Sequence, residues 1–173
     1  TNVSCFGFND GSAVATAAGG TGPFTFVWNP VVTATTVGNT STATGLGPGT
    51  YVATVTDANG CTGQQTFTIT EPPQLTAVAS STNTTCGQTN GSVSVAVTGG
   101  TGSPGVVWSP GGYTTTTVTN LGAGTYNVVV TDVNGCTTST SATIAPSTSM
   151  SLTQSQTDLM CWQDGTGAAS IIV

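Results

Sequence analysis

The chain writes one phrase twice. GPGTYVATVTDANGC (Gly47–Cys61) returns as GAGTYNVVVTDVNGC (Gly122–Cys136), 75 residues on. GGTGPFTFVW (Gly19–Trp28) returns as GGTGSPGVVW (Gly99–Trp108), 80 residues on. A third phrase occurs three times: CFGFNDGS from Cys5, CGQTNGS from Cys86 and CWQDGTG from Cys161. A repeat of this length is one small domain, and a series of such domains usually spaces or displays something rather than catalysing. The expected division is 1–73 as a first repeat lacking its opening strand, 74–147 as a second, and 148–173 as a partial third. On this reading the chain is a window on a longer one. The two offsets differ by five residues, inserted between Trp28 and Gly47. Surface loops tolerate such insertions, which places 29–46 and 109–121 on one rim of each domain.

Within a repeat the pattern is that of short strands separated by Gly-rich turns. In the second repeat the candidates are 75–80, 92–98, 105–109, 114–119, 125–131 and 137–144. Tyr126, Val128 and Val130 fall on one face, while Asn127, Val129 and Thr131 fall on the other. That period of two marks a half-buried antiparallel strand. No stretch carries a helical apolar stripe with caps. The expected fold is all-β: tandem immunoglobulin-like β-sandwich domains. Trp28 and Trp108 end a mid-repeat strand, where sandwiches often bury a Trp. Tyr51 and Tyr126 follow a Leu-Gly-x-Gly-Thr corner, the setting of a tyrosine corner that ties an arch to the backbone.

Composition narrows function. The 173 residues hold no Lys, Arg or His, and the formal charge is −6. Without a basic patch, phosphate has no counter-charge, so a nucleic-acid partner is not expected. A general base near neutral pH is most often His, so an enzyme is not expected either. No apolar run is long enough to span a bilayer as a helix, so direct membrane insertion is not expected. Asn2, Asn39, Asn83 and Asn90 open N-x-S/T triplets, which the abundance of Thr accounts for by chance. Glu71-Pro72-Pro73 reads as a stiff extended hinge.

Five cysteines occupy two repeat positions. Cys5, Cys86 and Cys161 stand near the start, and Cys61 and Cys136 at the head of the last strand. With no His, a zinc site is not expected. Pairing within each repeat gives Cys5–Cys61 and Cys86–Cys136, and leaves Cys161 unpaired within the fragment. The alternative, Cys61–Cys86, bridges neighbours. Spacing alone does not choose between them. A bridge closing about 50–57 residues would contribute roughly 4 kcal/mol in the chain-entropy model, comparable to the margin of a small domain. Disulfides imply an oxidising, extracytoplasmic setting.

TDANGC and TDVNGC read as hairpin turns, in which the Asp side chain accepts backbone N–H bonds and Gly60 or Gly135 supplies a positive φ. The same residues, Asp57 with Asn59 and Asp132 with Asn134, offer oxygens at alternate positions of the kind calcium takes. Neither turn has the full loop of an EF-hand. The expectation is no cofactor, with calcium as the alternative.

Taken together, C-x-G, DGS, GGTGPFTFVW, L-x-x-GTY, VTDANGC and TITEP resemble the SprB-type repeat of very large surface adhesins from gliding Bacteroidetes. The second repeat departs mildly, with Ser-Pro-Gly after the Gly-Gly-Thr-Gly turn and Ile-Ala-Pro for Ile-Thr-Glu-Pro. The resemblance implies export by the type IX route and display on the cell surface. It implies no catalytic residue. The leading expectation is a structural repeat segment of an extracellular adhesin or filament that extends and displays a distal binding region, its partners being neighbouring repeats. The alternatives are a polymerising subunit, in which 148–173 completes the first domain of another copy, and a module that binds surface polysaccharide through Phe6, Phe8, Tyr113 or Trp162.

Overall fold

Alternation of Val, Ala, Thr and aromatic residues puts the chain into strands. A computed structural model of the protein describes residues 1–85, 87–147, 152–157 and 168–172. The first module holds β1 (Gly11–Thr16), β2 (Thr25–Asn29), β3 (Ala34–Val37), β4 (Thr40–Leu46), β5 (Gly49–Thr56) and β6 (Thr62–Ile69). The second holds β7 (Thr76–Thr82), β8 (Gly91–Thr98), β9 (Gly105–Ser109), β10 (Thr117–Leu121), β11 (Gly124–Thr131) and β12 (Thr137–Ile144). A further hairpin joins β13 (Thr153–Thr157) to β14 (Ala168–Ile172).

Each module is two antiparallel three-stranded sheets, in the orders β1-β4-β3 and β2-β5-β6, then β10-β8-β7 and β12-β11-β9. This is the immunoglobulin-like sandwich, in which an early strand, β2 or β9, crosses over to join the late hairpin in the second sheet. By sequence β8 to β12 repeat β1, β2, β4, β5 and β6. Two strands lack a counterpart among the described residues: β7 in the first module and β3 in the second.

β3 corrects the expectation that 29–46 is a rim loop. The five extra residues let Ala34–Val37 fold back on β4, with Val37 opposite Thr40. Gly38, at φ 60°, makes that reversal without the clash a Cβ would bring. The insertion therefore adds an edge strand.

Period-two burial builds both cores. Val128 and Val130 are fully buried while Val129 between them is exposed. In the second module these pack with Val93, Val118, Leu121 and Ile144 around Trp108, which has no exposed surface. In the first, Trp28 sits among Ala13, Ala43, Leu46, Ala53 and Ile69, its ring 5.4 Å from that of Phe67. Burying an indole requires a partner for its N–H. Trp28 Nε1 donates to Ser41 Oγ and Trp108 Nε1 to the Thr115 carbonyl, both at 3.0 Å. The tyrosine corners form as expected: Tyr51 Oη donates to the Gly47 carbonyl at 3.0 Å, and Tyr126 Oη to that of Gly122 at 3.1 Å.

Candidate functional site

The two recurring phrases meet in space. Asp57 accepts backbone N–H bonds from Asn59 at 2.9 Å and Cys61 at 2.8 Å, closing its own turn. Its other oxygen accepts from Thr21 N–H at 3.1 Å, inside the Gly-Gly-Thr-Gly turn. Asp132 repeats this with Asn134 and Cys136, both at 2.9 Å, and with Thr101, also at 2.9 Å. Gly60 and Gly135 close the turns at φ 84° and 85°. A Cβ on Gly20 or Gly100 would lie 3.2 Å from the Asp oxygen, so glycine lets the two turns approach. Neither phrase by itself predicted this contact; their joint recurrence was the available signal.

The hydrogen bonds set the charge state. Thr21 N–H, then Cys61 N–H, hold the Asp57 carboxyl below its ordinary value. At Asp132 burial is the largest single influence and pushes upward, but the N–H groups of Thr101, Cys136, Asn134 and Gly135 together outweigh it and the net shift is downward. Asp10 is lowered by the Ser4 hydroxyl and then the Ser4 N–H. A lowered folded-state value means that the stabilisation is complete above the unfolded aspartate value of about 3.9 and is lost as pH falls through the folded one. With no His in the chain, the melting temperature is expected to stay level from pH 8 to 5 and fall below about pH 4; a midpoint of loss near pH 6 in a thermal-melt series would contradict this assignment.

Metal binding was the alternative role for Asp57, Asn59, Asp132 and Asn134. Backbone N–H groups occupy both carboxylates, and the Asn134 side chain is a donor, giving Nδ2–H to the Ser4 carbonyl at 3.0 Å. Among the described residues no group of three or more His, Cys, Asp or Glu side chains is assembled. Excess EDTA is therefore expected to leave the melting temperature unchanged; a drop reversed by calcium would assign a cation to these turns.

The bond from Asn134 crosses between modules, and so does a disulfide. Cys5 is bonded to Cys136, with Cα atoms 5.7 Å apart. This corrects the pairing expected within each repeat: Cys5 does not reach Cys61, and Cys136 is not bonded to Cys86. Cys61 is exposed and free. Cys86 and Cys161 lie outside the described residues, as does Trp162. The physical reason is that Cys5 belongs to the opening loop, at the end of module 1 that adjoins module 2. The loop is braced from within module 1: Ser4 N–H donates to Asp10 Oδ1 at 2.9 Å, the Ser4 hydroxyl donates to Oδ2, and Gly7 N–H donates to Glu71 at 2.8 Å. Glu71 thus ties the loop to the Pro-Pro linker.

The opening loop of module 1 therefore lies on the Asp132 turn of module 2. That cover explains why Asp132 is buried while Asp57, in the same turn without a neighbour, is partly exposed. Phe6 and Phe8 are 48% and 53% exposed, and with Gln74, Leu75 and Thr137 they line a cleft of about 380 Å³ at the joint. Tyr113 is 40% exposed, away from it.

Residues 1–33 match the SprB repeat. The match spans the opening loop with Cys5, β1 and the Gly-Gly-Thr-Gly turn, and ends just past Trp28. No curated protein matches the chain. Among solved structures the amphioxus IgVJ-C2 molecule is similar at 15% identity and a TM-score of 0.34, covering 80% of this chain and 97% of that one. The IG1+IG2 pair of DIP-gamma is similar at 13% and 0.37, covering 63% and 66%. Domains 1–6 of the surface layer protein SbsC are similar at 14% and 0.28, covering 86% and 28%. The sandwich assignment rests on the strand order itself.

Proposed function

We propose that the chain is a structural segment of an extracellular adhesin or filament, in which SprB-type modules are latched in series to carry a distal binding region. One observation carries this reading: the Cys5–Cys136 bond joins the opening loop of one module to the Asp turn of the next. A covalent strap between two sandwiches keeps them in series under load, because it holds against a pull that would part non-covalent contacts. Such a bond persists in an oxidising, extracytoplasmic setting. The absence of Lys and Arg supports the same setting, since it leaves a long exposed fibre with no bond suited to a trypsin-like protease. Antibodies raised against folded modules are expected to label unpermeabilised cells along surface fibres. Label seen only after permeabilisation would refute the reading.

A further inference from the structure

Phe6 and Phe8 sit in a loop whose shape does not need them. The opening loops of the two modules make the same turn. Phe8 N–H donates to the Cys5 carbonyl at 3.1 Å, and Gln88 N–H to the Thr85 carbonyl at 3.0 Å. Gly7 and Gly87, just ahead of them, take φ 76° and 69°. Each of these glycines donates its N–H to a side chain shortly past the last strand of its module, Glu71 or Ser147, at 2.8 Å. Gln88 thus fills the place of Phe8, and residues 83–91 hold no aromatic side chain. A turn that closes equally well on Gln does not owe its form to a ring. Yet both rings are held out in solvent, 48% and 53% exposed. Large apolar groups left outside and rimmed by polar ones mark a binding surface. The loop that carries them is fixed on both flanks, through the Cys5–Cys136 bond and the Gly7–Glu71 contact. A site already in shape loses little freedom when its ligand arrives.

The cleft beside these rings holds about 380 Å³, within the range of small-ligand sites. Its walls come from both sides of the linker. Phe6, Phe8 and Leu75 supply carbon, while Gln74, Thr137 and Thr138 supply an amide and two hydroxyls. None of its lining residues is charged. The chain has no Lys, Arg or His to neutralise an anionic ligand, and its charge of −6 repels one. A cationic ligand finds no carboxylate in the wall. The ligand that fits is therefore uncharged, with carbon faces for the rings and hydroxyls at its edge for the amide and the threonines. A pyranose has that form, with C–H bonds on its faces and hydroxyls around its rim.

We propose that the joint cleft binds a neutral polysaccharide, with sugar rings against Phe6 and Phe8 and sugar hydroxyls bonded to Gln74, Thr137 and Thr138. This goes beyond the scaffold reading and does not rest on it, since the segment itself grips a glycan whether or not a distal region does.

The test is affinity electrophoresis of the full chain in native gels cast with laminarin, galactomannan, dextran or agarose, all neutral, and with alginate as the anionic comparison. At least one neutral polysaccharide is expected to retard the chain, and alginate is not. Phe8→Gln installs the residue that module 2 carries at this place, so the loop keeps its turn. It is expected to weaken binding about tenfold or more, as loss of an aromatic anchor does, with the melting temperature and the Cys5–Cys136 bond unchanged. Phe8→Trp is expected to keep binding, and Phe6→Ala combined with Phe8→Gln to abolish it. A chain that no neutral polysaccharide retards, equal retardation by alginate, or a double variant that binds as tightly as the native chain overturns the inference. Surface labelling of fibres is read independently, so the scaffold reading stands or falls separately.

Discussion

Reducing the Cys5–Cys136 bond is expected to let the stretched molecule lengthen by roughly 430–470 Å, at 3.3–3.6 Å for each of the 131 residues the bond spans. With the bond intact, force applied through Thr1 and Val173 enters at Cys5 and crosses directly to Cys136. All of module 1 and five of the six strands of module 2 then lie off the load path, and only β12 and the segments outside the loop can pay out. Single-molecule pulling with and without reductant checks this. Equal total extension in both conditions would mean that the sulfurs are not joined. At equilibrium the same bond is expected to contribute about 5 kcal/mol against complete unfolding of both modules, from the entropy of closing so long a loop. Urea unfolding of the Cys5→Ser chain measures it.

Trp108→Ala is expected to destabilise module 2 by about 3–5 kcal/mol, close to the whole margin of a small domain. Trp108 is fully buried among Val93, Val118, Val128, Val130 and Ile144, so its removal leaves a cavity that facing strands cannot close. It also strips the Thr115 carbonyl of its donor. Trp108→Phe keeps much of the ring volume and is expected to lose less than half as much. Because the core of module 1 is separate, Trp28 fluorescence is expected to retain its native unfolding transition in the alanine variant. A single shared transition at the wild-type midpoint would show that Trp108 does not anchor its module.

The parts of the molecule that were legible in advance are those set by neighbours in sequence. Strand period in Thr125–Thr131 follows from alternation, and the structure buries Val128 and Val130 as that alternation requires. The tyrosine corners follow from a Leu-Gly-x-Gly-Thr segment, since Tyr51 and Tyr126 bond a carbonyl four residues back. The Asp turns read correctly on the Asn59, Cys61, Asn134 and Cys136 bonds for the same reason. Their third bonds, to Thr21 and Thr101, were not read, because they come from a turn 31 to 36 residues away. The roles of Asn2 and Asn83 carry no local signal either. Each accepts an N–H just past the last strand of its module, from Thr70 at 3.0 Å and from Ala145 at 2.9 Å, across more than 60 residues.

What the sequence determined by itself was the module: its repeat length, its strands apart from β3, its aromatic core and its turns, all products of short-range pattern. What only the tertiary structure decided was which sulfurs meet. Both full repeats carry a cysteine at both positions, so pairing within a module and pairing between modules satisfy the same spacing. The choice falls to how the Glu71-Pro72-Pro73 linker sets one sandwich on the next. There the opening loop of the first reaches the Asp132 turn of the second, and the thiol of its own Asp57 turn is left in solvent.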